Sequence, residues 1–305
     1  MFTIKKENSK ILKTIVEALG AIIDETAFKI TPNEFIITAM DPSRICLLKL
    51  IIKKEHFDEY NCEKETKIGL NLEDLDKILK RSSTNDSVEI NFNEKDQKIK
   101  ISMKRGEASR KRTFSLALLD VDIEEIPMDN LLKIEYPSTW EFNPDFLVEA
   151  MKDAEIYSEI LNVKTEEGKG LTFNSSGQIG EMTYEIELSE LFGAILQGTT
   201  TGAYSLTFLK TIMKLSPITE KLEISLKTDH PLKFKFHLLE GGELYYFLAP
   251  RVEEADFNAE DGDILEVDKL VQLEEEEEDK LEEKLETLEK EKTIEPETEE
   301  TEVEE

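Results

Sequence analysis

The 305-residue chain carries one plan twice. At an offset of 134, Leu72, Leu75, Ile78 and Lys80 fall on Leu206, Leu209, Ile212 and Lys214. The next run stays in register without a gap, with Val88, Glu89 and Ile90 on Leu222, Glu223 and Ile224. An offset of 135 lays Ile11 and Leu12 on Phe146 and Leu147, and Lys29 on Lys164. A helix and its following strand that match at one offset mark an internal duplication. The chain must therefore fold as two copies of one unit. We expect an N-terminal domain over 1–118, a connector over 119–131 and a C-terminal domain over 132–254. A tail remains over 255–305.

The unit mixes two periodicities. Apolar residues at three-and-four spacing predict helices from Lys10 to about Asp24, Leu72 to Arg81, Phe146 to about Ile156, and Leu206 to Leu215. Between them lie alternating runs such as Ser87–Phe92, Lys98–Met103, Leu222–Leu226 and Leu232–Leu238. Alternation argues for antiparallel sheets covered on one face, and the helices must supply the cover. The expected class is α+β, two similar domains of antiparallel sheets with helices on one face. The stretch Phe114–Pro127 begins as a strand, loses periodicity and ends at a proline, as a connector between repeats would.

The formal charge of -30 is unevenly placed. From Arg251 onward there are 26 acidic and 6 basic residues, against 42 and 32 before it. The body is mildly acidic, which disfavours indiscriminate nucleic-acid binding but leaves room for a local basic lining. Two cysteines, Cys46 and Cys62, suggest neither a disulfide scaffold nor a metal site. With no signal-like opening and no membrane-length apolar run, the expectation is an intracellular, reduced protein. Phosphate-loop, dinucleotide, zinc-protease and nucleophile-elbow signatures are absent, so no enzyme activity, cofactor or metal is expected. His56, His230 and His237 lack metal spacing.

All four helices carry basic residues away from their apolar stripes: Lys10, Lys13, Lys77, Lys80, Arg81, Lys152, Lys210 and Lys214. Gathered on one side of the sheets, they would touch phosphates without reading bases. A second surface is apolar, comprising Met40, Ile45, Leu47, the connector, Ala249 and Pro250. It would suit a short aromatic peptide.

Several segments together resemble the proliferating cell nuclear antigen family of sliding clamps, in its archaeal form. They are Ser9–Leu19, Met40-Asp41-Pro42-Ser43-Arg44, Lys77-Ile78-Leu79-Lys80, Leu119-Asp120-Val121, Phe173–Gly177 and Tyr246–Glu253. The resemblance spans Met1 to about Glu254. It implies a DNA-clamp fold and a ring of three subunits whose helices line a hole for duplex DNA. The eight basic residues above would face the DNA, held without sequence preference. The clamp would tether polymerase, flap nuclease and ligase clients through short aromatic motifs, serve replication and repair, and be opened by a clamp loader. The client pocket would comprise Met40, Arg44, Ile45, Leu47, Leu119, Val121, Ile126, Pro127, Pro231, Ala249, Pro250 and Arg251. The ring would close between about Arg110–Leu116 of one subunit and Ser175–Met182 of the next, with Arg110, Lys111 and Arg112 opposite Asp145, Glu149 and Asp153, and Gly177 at the joint. The alternative is a subunit of a heterotrimeric repair or checkpoint clamp. Work at the chromosome in the cytoplasm is expected, or in a nucleus for a eukaryotic source. The tail, with Leu273, Leu281, Leu285 and Leu288 among glutamates, departs from the family. It reads as solvated and partly helical, as a competitor of DNA for the lining, or as a partner-binding helix.

Overall fold

The computed structural model describes residues 1–106, 110–120, 128–252 and 263–264. The first half runs β1 (Phe2–Lys6), α1 (Lys10–Leu19), β2 (Glu25–Ile30), β3 (Glu34–Met40), β4 (Cys46–Lys53), β5 (Glu59–Cys62), β6 (Thr66–Asn71), α2 (Leu72–Leu79), β7 (Asp86–Phe92), β8 (Lys98–Arg105) and β9 (Lys111–Ala117). A short helix, α3 (Met128–Lys133), follows. The second half runs β10 (Ser138–Phe142), α4 (Pro144–Ala154), β11 (Ile160–Glu166), β12 (Gly170–Gly177), β13 (Gly180–Glu187), β14 (Phe192–Leu196), β15 (Thr199–Ser205), α5 (Leu206–Ile212), β16 (Thr219–Leu226), β17 (Leu232–Leu238) and β18 (Glu243–Leu248). Each element of the first half has its counterpart, in order, in the second.

The ladders repeat as well. The order β5-β1-β7-β8-β9 recurs as β14-β10-β16-β17-β18, and β6-β2-β3-β4 recurs as β15-β11-β12-β13. Every pairing is antiparallel, and β18 pairs with β4 from Glu243↔Ile51 to Leu248↔Cys46. That junction fuses half of each repeat into one nine-stranded sheet. Among the described residues the counterpart strands, β9 and β13, stand at unpaired edges.

Strand alternation is visible in burial, as in β17, where Leu232, Phe234, Phe236 and Leu238 point inward. The helices lie on that inner side. Helix α1 buries Ile11, Leu12, Ile15, Val16, Ala18 and Leu19. It ends at Leu19, earlier than its apolar spacing predicts. Gly20 closes it, its amide bonding the Val16 carbonyl at 2.8 Å, and Ile23 enters the core from the following turn. Asn71 caps α2 by accepting from the Asp74 amide, and Asn143 starts α4 by accepting from the Asp145 amide, with Pro144 at its first position. Helix α5 passes at Met213 into 3-10 turns that end at Ile218. Beyond Val252, Asp263–Ile264 pairs with Arg251–Val252. The rest of the tail lies outside the described residues.

Candidate nucleic-acid, client and joining surfaces

The helices form one layer across both repeats. Helix α1 touches α2, α5 and the turns after α5, while α4 touches α5 and the same turns. The Lys10 ammonium donates to the Pro217 carbonyl at 3.4 Å across the repeat boundary. Lys10, Lys77, Lys80, Arg81, Lys152, Lys210 and Lys214 are exposed and Lys13 is half-buried. The expected basic surface is, however, interleaved with carboxylates. From Lys10 to Leu19, Leu72 to Arg81, Pro144 to Glu155 and Leu206 to Ile218, eight basic residues share the layer with eight acidic ones. Lys77 lies 2.9 Å from Glu73 and 3.2 Å from Asp74. Lys80 lies 2.6 Å from Asp76, and Lys210 pairs with Glu155. The hydrogen bonds to these acids raise the Lys77 and Lys80 pKa values, fixing both as cations.

The apolar surface expected to receive clients is largely covered. A turn organised by Asp41 precedes β4. Its nearly buried carboxylate accepts from the amides of Ser43 at 3.0 Å, Ile45 at 2.7 Å and Cys46 at 2.6 Å. Arg44 adopts a φ of 57°, the left-handed region that few side chains favour, and its head is exposed. Met40 and Ile45 are half-buried, but Leu47 and Ala249 are 1% exposed. The cause is α3, which sequence reading missed. Met128, Leu131 and Ile134 cover Leu47, Phe247 and Ala249 on the sheet face opposite the helices, forming a second apolar cluster. Pro231 and Pro250 are also buried, and Arg251 is half-buried. Leu119 is half-buried and donates its amide to Gly69 at 2.9 Å, so the connector leaves along the β6 edge. Val121, Ile126 and Pro127 lie outside the described residues.

Two features bear on the segments expected to join subunits. The segment Ser175–Met182 straddles two strands: Ser175–Gly177 ends β12, a strand bonded by β11 and β13, and Gly180–Met182 opens β13, whose other side has no partner strand among the described residues. A Cβ on Gly177 would lie 1.9 Å from the Tyr157 carbonyl oxygen, and this close approach within the chain accounts for the glycine. Arg112 is committed at home. It donates to Asp86 at 2.6 Å and to the Arg81 carbonyl at 2.9 Å. Asp86, its side chain inaccessible, also accepts from Ser83 at 2.7 Å and Arg105 at 3.1 Å. Burial alone would raise the Asp86 pKa; hydrogen bonds from Ser83 and Arg105 overcome it and hold the group at about 2. Arg110 and Lys111 remain exposed, with Lys111 3.6 Å from Glu89. Across the molecule, β13 exposes Glu181, Glu185 and Glu187. Behind it, the Tyr184 hydroxyl donates to Glu149 at 3.1 Å. Burial, then Glu149, Glu190 and Asp153, push the Tyr184 phenol upward. Asp145, also on α4, is exposed. One edge is thus basic and the other acidic.

Among the described residues no three His, Cys, Asp or Glu could hold a metal, and no helix is long and apolar enough to cross a membrane. Cys46 is fully buried, and burial pushes its thiol well up, as an inert core residue requires. Two antiparallel domains sharing one sheet, with their helices in a common layer, define the DNA-clamp class. Family profiles agree: the proliferating cell nuclear antigen N-terminal domain matches residues 1–126 and its C-terminal domain residues 132–251. A DNA polymerase sliding clamp of Thermofilum pendens is 32% identical over 244 residues, covering 79% of this chain and 95% of that one. Those of Pyrococcus abyssi and Methanothermobacter thermautotrophicus are 31% and 30% identical, each covering 83% of this chain and 99% of theirs. The chain belongs to the proliferating cell nuclear antigen family, as an archaeal-type DNA polymerase sliding clamp.

Proposed function

We propose that this chain is the DNA polymerase processivity factor of its cell, a non-enzymatic clamp that closes head to tail with two further copies around duplex DNA. One observation carries the ring. The internal junction joins β18 to β4, while their counterparts in the other repeats, β9 and β13, are each paired on one side only among the described residues. A second copy offers each edge the partner that its counterpart already has. Such a head-to-tail contact closes into a ring when the rotation allows.

The internal ladder supplies a register for the joint. In the two repeats Tyr246 opposes Phe234 as Phe114 opposes Ile101, and Leu48 opposes Ala39 as Met182 opposes Ser175. Since Tyr246 pairs with Leu48, Phe114 should pair with Met182 of the next copy. By the same rule Glu243↔Ile51 becomes Lys111 opposite Glu185. The half-buried Phe114, Leu116, Met182 and Tyr184 would be covered by this joint. The basic and acidic edges on one chain favour self-closure over a mixed ring that needs unlike subunits.

Lys10, Lys13, Lys77, Lys80, Arg81, Lys152, Lys210 and Lys214 would then face the duplex. With carboxylates equal in number, the lining gives weak, salt-sensitive contact with phosphates, and retention comes from topological linkage. The outer face around Met40 and Ile45 would receive short aromatic segments of polymerase, flap nuclease and ligase. Tethering raises their local concentration at DNA. A clamp loader would open the ring, and the protein would work at the chromosome, in the cytoplasm. We read the domains as 1–118 and 132–254, joined by 119–131 and followed by the acidic 255–305.

Loading on a nicked circular duplex tests this. Clamps should survive a high-salt wash on intact circles and escape when the circle is cut. Equal loss from circular and linear DNA would sink the proposal.

A further inference from the structure

The client surface is occupied by the chain itself. Removing α3 would expose Leu47, Phe247 and Ala249, now at 1%, 0% and 1% accessibility, as an apolar floor on outward positions of β4 and the end of β18. The side chains on that floor are Met128 and Leu131, 4% and 1% accessible and one helical turn apart. They present the kind of apolar surface that a client's aromatic and aliphatic anchors would bring.

We propose that α3 is a resident occupant of the client surface, which an incoming aromatic peptide displaces. This rests on the reading of that face as the client site. Three observations favour displacement over a fixed wall. Helix α3 has six residues, far fewer than an isolated helix needs, so its position depends on tertiary contacts, among them those of the apolar side chains it buries. Prolines at 127 and 137 bracket the segment in the sequence. Downstream the chain is pinned separately: the Tyr136 hydroxyl donates to the Pro231 carbonyl at 3.0 Å, and the Lys233 ammonium sits 5.5 Å over the Tyr136 ring. Burial lowers the Lys233 pKa, consistent with a covered contact. Helix α3 can therefore leave its seat while Tyr136 holds the segment to β17. Apparent client affinity is then reduced by the fraction of molecules in which α3 is seated.

The test uses the full-length chain and a labelled peptide carrying a glutamine, an aliphatic residue and two adjacent aromatics. Amide exchange is followed at residues 128–133, with and without saturating peptide, and binding is measured for wild type and Leu131→Ala. Displacement predicts faster exchange in α3 when peptide is bound, and roughly tenfold tighter binding by the variant. Slower exchange in α3 together with weaker binding by Leu131→Ala would make α3 a wall and overturn the inference. Unchanged exchange and affinity would place the peptide elsewhere and overturn it too. Failure of both proteins to bind would overturn the client-site reading itself. The exchange arm needs no variant, so poor folding of Leu131→Ala leaves the decision intact.

Discussion

Among the acidic side chains of the body, Asp41 and Asp86 are held by several donors each. The Asp41 carboxylate satisfies three amides of the turn that aims β4. Asp41→Ala should cost about 3 kcal/mol, measured by denaturant unfolding, because buried donors lose their acceptor. Asp86→Asn removes the anion that Arg105 and Arg112 hold, and should cost about 2 kcal/mol. Its folded pKa of about 2 lies below the ordinary 3.8. Its stabilisation is therefore complete above about pH 4 and fades as pH falls through the folded value. Acid unfolding of wild type and Asp86→Asn should converge below that window; curves that stay parallel to pH 2 would contradict the assignment. In the sequence neither aspartate stood apart, because a carboxylate's importance here comes from donors distant along the chain, such as Arg105 and Arg112. Asp41 was noticed only as part of a family motif. The lysines were legible as helix-face residues, but their pairing with Glu73, Asp76 and Glu155 depended on rotamers and on helix–helix approach.

At the level of elements, strong periodicity was readable and weak periodicity was not. The strands β17 and β18 fall where alternation put them. Strands β5, β6, β10, β14 and β15 were not read; β15, for one, is threonine-rich and contains a glycine. Its inward positions are Thr200, Gly202 and the fully buried Tyr204, and Thr200 enters through its hydroxyl, donating to Ser138 at 3.0 Å while Ser138 bonds Thr165 at 2.8 Å, so a single aromatic residue stands where an apolar alternation would show. Helix α3 was hidden for a different reason: six residues hold fewer than two turns, too few for a helical repeat to be seen. The edges came from family resemblance, as Arg110–Leu116 and Ser175–Met182, and the second segment straddles the end of β12 and the start of β13. The proposed register yields a charge-swap experiment. Lys111→Glu or Glu185→Lys alone should shift sizing profiles toward monomer, and the two together should restore the larger species. A double variant no better than either single one would refute the register.

For the whole molecule, the duplication determines the arrangement. Two repeats leave one junction made and one open, and a body that is otherwise only mildly acidic is followed by a strongly acidic tail. If the helix layer, balanced in charge, lines a hole for DNA as proposed, a tail carrying 26 acidic residues from Arg251 onward can oppose nucleic acid. Deleting 256–305 should raise the salt concentration at which DNA association is lost; an unchanged salt titration would remove the tail from that role. The central claim is that the open edges of β9 and β13 close between identical copies. Light scattering of the purified full-length chain across a range of concentrations tests it most directly. Self-closure gives a mass of three chains that holds on dilution; a monomer or dimer throughout that range would contradict it and point to a ring that requires other subunits.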